Sequence, residues 1–125
     1  MTICKIRMEQ YEWSVICFLS YTINDTDYIC RALKDIRCNG DALLEAYGHL
    51  SKNCSGRGLT YSNVIERKSI VAIGKSPDRA SILNTMGHEL FHVVAHICNK
   101  DNIDMQGEEP CYIMGELCEK LYKCL

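Results

Sequence analysis

The sequence predicts a single α+β domain over residues 1–125. Three observations carry that expectation. Residues 3–8 and 13–21, and later 59–63 and 69–73, are rich in β-branched and aromatic types. A helical pattern of apolar residues runs unbroken from about residue 76 to about residue 98. A second stripe at helical spacing closes the chain. The expected arrangement is a small mixed sheet packed on the long helix, with the last helix beside it.

Residues 3–8 (Ile-Cys-Lys-Ile-Arg-Met) and 13–21 (Trp-Ser-Val-Ile-Cys-Phe-Leu-Ser-Tyr) read as two strands of a hairpin. Asn24-Asp25-Thr26-Asp27 then offers capping side chains. Tyr28, Ile29, Ala32, Leu33 and Ile36 follow at helical spacing, and Asn39-Gly40 closes that helix. A short helix spans Asp41 to Ser51, with Leu43, Leu44, Tyr47 and Leu50 on one side. Ser55-Gly56-Arg57-Gly58 is a loop between it and the second pair of strands. The run Ser69-Ile-Val-Ala-Ile73 is almost continuously apolar, which suits a central strand. It is also a candidate edge on which an extended peptide docks by strand addition.

Ser76-Pro77-Asp78 is the clearest helix start in the chain. Ser76 can cap, Pro77 suits the first helical position, and Asp78 suits the positive end of the dipole. The helix that follows, roughly 22 residues, is about 33 Å long. A domain of this size has a radius of gyration of about 14 Å, so the helix must cross it. The last helix runs from about Gly107 to Lys123. Pro110 lies in its first turn, and Met114, Leu117, Cys118, Leu121 and Leu125 form its apolar stripe.

The composition narrows the function classes. At 125 residues, 47% hydrophobic and 24% charged, the chain is an ordinary globular domain. Fourteen basic and sixteen acidic side chains give a net charge of −2, and no basic run occurs. Neither nucleic acid nor a membrane surface is an expected partner. Nine cysteines occur with no Cys-x-x-Cys pair, and charges occupy the first nine residues where a secretory leader needs an apolar run. The expectation is a cytoplasmic protein with reduced thiols, most of them small core fillers.

The chemistry sits in the long helix, at His88-Glu89-Leu90-Phe91-His92, the pattern HExxH. Positions four apart lie about 40° apart around the axis and one turn along it. Two imidazoles so placed converge on one point about 2 Å from each nitrogen, which suits zinc. Glu89 lies about 100° round, beside that point, where a carboxylate can take a proton from an attacking water. Ile82, Leu83, Met86, Leu90, Val93, Val94 and Ile97 define an apolar face of the helix. Ser81, Thr85, His88, His92 and His96 lie on another, so the histidines are not on the core stripe. His96 extends the row, but it is about 12 Å from His88 along a straight helix and cannot share its ion. It flanks the cleft instead.

The expected third ligand is one of the pair Glu108-Glu109, at the start of the last helix, with Glu108 preferred and Glu109 kept as the alternative. The competing account makes both glutamates solvated acids favoured by the helix dipole. Tyr112, one turn after Glu108, is a candidate to stabilise an oxyanion. His49 reads as a surface residue on the short helix.

His88-Glu89-x-x-His92 followed by a downstream helical glutamate resembles the gluzincin branch of the zincin metallopeptidases. Residues 58–118 are similar to small HExxH proteins of Bacteroides-type bacteria and their phages. The similarity rests on Gly58-Leu-Thr-Tyr-Ser-Asn, Ser69-Ile-Val-Ala-Ile-Gly, Asn84-Thr-Met-Gly-His-Glu-Leu-Phe-His and Gly107-Glu-Glu-Pro-Cys-Tyr-Ile-Met-Gly-Glu-Leu. In that pattern the first glutamate maps to Glu108, and Cys111 stands where a small alanine would be. The resemblance implies a zincin-like fold and bound zinc, without a known substrate. Two functions follow as expectations. One is a zinc-dependent hydrolase of peptides or proteins. The other is a non-catalytic zinc-binding or interaction protein of a phage or mobile element. A hydrolase of a non-peptide amide is a weaker third.

Overall fold

A computed structural model describes residues 1–125. Strands β1 (Thr2–Met8) and β2 (Trp13–Tyr21) form the expected antiparallel hairpin. Helices α1 (Thr26–Asp35) and α2 (Gly40–Leu50) follow, then β3 (Gly58–Asn63), β4 (Lys68–Gly74), α3 (Arg79–Lys100) and α4 (Glu109–Tyr122). The sheet order is β1-β2-β4-β3, with β2 and β4 parallel and β3 antiparallel to β4. The parallel pair needs the crossover that α1 and α2 supply.

The sheet is covered on both faces, one helical layer more than expected. Val15, Cys17, Leu19, Val71 and Ile73 point into a core shared with Leu90, Val93, Val94 and Ile97 of α3 and Ile113, Leu117 and Leu121 of α4. Phe18, Ile70 and Ala72 point the other way, onto Ile29, Leu33, Ala46 and Leu50 of α1 and α2. This alternation is the period of two of a pleated strand. At Ser20 the backbone turns left-handed (φ 61°) and the register of β2 shifts by one residue. That bulge moves Tyr21 to the α1–α2 face, opposite Leu19.

β4 is central, as its apolar run predicts, and is therefore not an edge: β2 and β3 occupy both its sides. The edge strands are β1 and β3, and β3 is the one that runs beside α3. On α2 the inward residues are Ala46 and Leu50, whereas Leu44 and Tyr47 are exposed. The apolar stripe of α4 is centred on Ile113, Leu117 and Leu121, while Cys118 faces solvent.

Helix α3 begins two residues later than its start signal suggests. Asp78 is the N-cap, accepting from the Ala80 amide at 3.1 Å, and Ser76 Oγ accepts from the Asp78 amide at 3.3 Å. At its other end Arg67 locks α3 to the sheet. Its guanidinium donates to Asp101 (2.7 Å) and to the Tyr11 carbonyl (2.7 Å), and stacks 5.2 Å from the Trp13 ring. Leu83, assigned to the apolar face, is 70% exposed, because it lies on the rim of a groove between α3 and the end of α4 rather than under the sheet.

The thiols correct a second expectation. Cys4 and Cys124 form a disulfide between β1 and the residues just past α4, while the other seven cysteines are free. The two are 120 residues apart in sequence, so no local pattern announces the pairing. No helix is long and apolar enough to cross a membrane.

Candidate metal centre

A cleft opens along the β3 edge. The floor is β3, α3 forms one wall and α2 the other, and the lining includes all four histidines of the chain: His49, His88, His92 and His96. His88, Glu89 and His92 bring their ligand atoms within 4.8 Å of one another. The Nε2 atoms of His88 and His92 are 3.3 Å apart, and neither ring has another hydrogen-bond partner in the protein. Two nitrogens bound to one tetrahedral zinc at roughly 2.0–2.1 Å would be about 3.3–3.4 Å apart. The pair therefore fits a zinc edge, and its side chains are open to the cleft.

Glu89 is in a different environment. It is 6% exposed, with Oε2 4.0 Å from His88 Nε2. Thr60 Oγ1 donates to Glu89 Oε1 at 2.8 Å and lies 3.1 Å from the Glu89 carbonyl. Gly58 makes room for this carboxylate. A Cβ there would come within 2.7 Å of Glu89 Cγ and of Thr85 Cγ2. Tyr21, fully buried, has no hydrogen-bond partner for its hydroxyl. Burial first, then the nearby Cys54 and Glu89, push its pKa up to about 12.

The other two histidines are held by hydrogen bonds. His49 Nε2 donates to the Gly58 carbonyl at 2.8 Å, and Arg57 Nη1 approaches its Nδ1 at 3.5 Å. His96 Nδ1 lies 2.6 Å from Ser62 Oγ, and its ring stacks on His92 with centroids 6.3 Å apart. Burial, then His92, lowers the His96 pKa. His96 thus flanks the cleft as its place on the helix suggests. His49 is not a bystander on the surface, and only the packing of α2 over β3 places it here.

The glutamates of α4 go elsewhere. Glu108 is the N-cap residue of α4 and exposed. Glu109 accepts a hydrogen bond from the Tyr11 hydroxyl at 3.1 Å. Burial, then this glutamate, pushes the Tyr11 pKa up to about 12. Neither glutamate belongs to the His88–Glu89–His92 group. Tyr112 is 73% exposed and does not line the cleft. The cause is the antiparallel packing of the two helices. The start of α4 lies beside Cys98 and its end beside Met86 and Leu90. Its first turn is therefore near the C-terminal end of α3, about 12 Å along the axis from the histidines. Besides Glu89, the carboxylate lining the cleft is Glu45 of α2, which is exposed and makes no ion pair.

Comparison with protein-family models, with curated proteins and with solved structures gave no match. Fold and site by themselves define an α+β domain in which a long helix and an open strand edge bracket a histidine pair and a buried carboxylate.

Proposed function

We propose that the protein is a zinc-dependent hydrolase acting on peptide bonds, with His88 and His92 as metal ligands and Glu89 as general base. The single observation that carries this reading is the 3.3 Å separation of two otherwise unpartnered Nε2 atoms beside a buried carboxylate. Zinc bound there would supply Lewis acidity and lower the pKa of a water. The Thr60 hydroxyl aims Glu89 Oε1 and holds the carboxylate in one rotamer. Glu89 then takes the proton of the attacking water and delivers it to the leaving amine.

The edge of β3 suits an extended substrate. The Gly74 amide donates to the Arg57 carbonyl, which sets the ladder so that residues 59, 61 and 63 pair inward with β4. The backbone groups of Thr60 and Ser62 face the open edge, where a peptide strand can add. Peptide or protein is accordingly the proposed substrate.

Purified protein should take up near-stoichiometric zinc, and His92→Ala should lose it. Glu89→Gln should keep zinc and lose hydrolysis of a fluorogenic peptide library. Wild-type protein that takes up no zinc would sink the proposal. The absence of a third protein ligand from α4 favours a second reading, a weaker, non-catalytic metal site in an interaction protein. Zinc uptake with no hydrolysis across the library would select it.

A further inference from the structure

The hydrogen bonds around His96 fix its tautomer, and the tautomer assigns it a role. Trp13 Nε1 lies 2.9 Å from Ser69 Oγ, Ser69 Oγ lies 2.7 Å from Ser62 Oγ, and Ser62 Oγ lies 2.6 Å from His96 Nδ1. An indole N–H can only donate, so the chain has a direction at its first link. Ser69 is 1% exposed and its hydroxyl has two partners, Trp13 and Ser62. It accepts from Trp13, so its own proton goes to Ser62. Ser62 in turn gives its proton to His96 Nδ1. Running both links backwards would leave the buried Ser69 proton without an acceptor, at a cost of about 1–3 kcal/mol. Reversing the last link alone would strand the Ser62 proton instead, because Ser62 Oγ has only Ser69 and His96 as partners and already accepts from Ser69.

His96 Nδ1 is therefore an acceptor, and the neutral ring carries its proton on Nε2. That atom makes no hydrogen bond within the protein, on a ring that lines the cleft beside β3. The same tautomer denies a metal ion the Nε2 lone pair, which separates His96 from His88 and His92.

We propose that His96 is a preset hydrogen-bond donor whose Nε2–H binds the acyl oxygen of a peptide laid along β3, with Ser62, Ser69 and Trp13 as the positioning residues that fix its tautomer. The role rests on the hydrolase reading above. It adds a donor to the carbonyl in the ground state and a stronger one to the oxyanion as charge develops. No atom of His96 needs to change protonation for it to act.

Two measurements test this. Long-range 1H–15N correlation spectra of the metal-free protein read the tautomer without any activity. The expected signature is His96 protonated at Nε2, and Ser62→Ala should shift or average it while the His49 signals stay in place. A wild-type His96 protonated at Nδ1 would overturn the assignment. Zinc-loaded protein is then titrated with an N-phosphoryl dipeptide, a tetrahedral anionic probe. His96→Ala should weaken binding about tenfold to a hundredfold, the loss expected for one hydrogen bond to a charged group. Ser62→Ala should weaken it less, and His96→Gln, which keeps a donor, should recover part of the loss. Zinc stoichiometry should stay unchanged in all three. If wild type and His96→Ala hold zinc and bind the probe equally, the role of His96 falls and the hydrolase reading stands. If wild type takes up no zinc, both fall together.

Discussion

The two flanks of α3 are built by one helix to opposite ends. On one flank Leu90, Val93, Val94, Ile97 and Cys98 are each at most 1% exposed, packed on the sheet and on Ile113, Leu117 and Leu121 of α4. On the other, His88 and His92 are open, while Glu89 and His96 are held by the side chains of β3. Thr60 and Ser62 are two apart on one face of the strand. Glu89 and His96 are seven apart on nearly one line of the helix. Strand and helix periods thus meet at two hydrogen bonds. The apolar flank fixes the helix on the sheet, and the polar flank pairs Glu89 and His96 with the hydroxyls of β3.

If that division is right, damage to one flank should spare the other. Leu117→Ala on the apolar flank should have the largest effect, destabilising the fold by about 2–5 kcal/mol in urea denaturation. The protein that remains folded should still bind zinc normally. Loss of zinc from folded Leu117→Ala protein would break the comparison. Gly58→Ala comes next, on the polar flank. The added methyl meets Glu89 and Thr85 at 2.7 Å, so strain of about 1–3 kcal/mol should appear in the melt. Peptide hydrolysis should fall further than stability does, and an unchanged melt would remove Gly58 from the site.

Tyr11→Phe tests what holds the start of α4. It removes a hydrogen bond to the Glu109 carboxylate and should cost about 1–2 kcal/mol. The pH dependence has a defined sign. The Tyr11 pKa is raised from 10.0 to about 12 on folding, so the folded state holds that proton more tightly. Its contribution is complete below pH 10 and is lost as pH rises towards 12. Denaturation across that window should show a shallower fall in the variant than in wild type. The smallest effect is expected from Glu108→Ala and Glu109→Ala, whose zinc affinity by competition with a chromogenic chelator should stay within about twofold of wild type. A large loss would bring α4 back to the metal.

Much of this arrangement is legible in the sequence because it is local. The hairpin, the central β4 and the length of α3 follow from periodicity, and His88 and His92 follow from one helical turn. What escapes is tertiary. A helical wheel gives the azimuth of Glu108 and Glu109 but not their height along α3, and height is what separates them from the histidines. His49 has no local signal for its place in the cleft, because that place depends on how α2 packs over β3. Ser62 and Ser69 read as ordinary strand residues until the sheet lines them up between Trp13 and His96.

The Cys4–Cys124 bond has a consequence for topology rather than energy. It closes residues 4 to 124 into a covalent ring. A single protease cut at the exposed Ser55-Gly56 turn would open that ring without dividing it. The nicked protein would run as one species on a denaturing gel and separate into two pieces only after a thiol reductant is added.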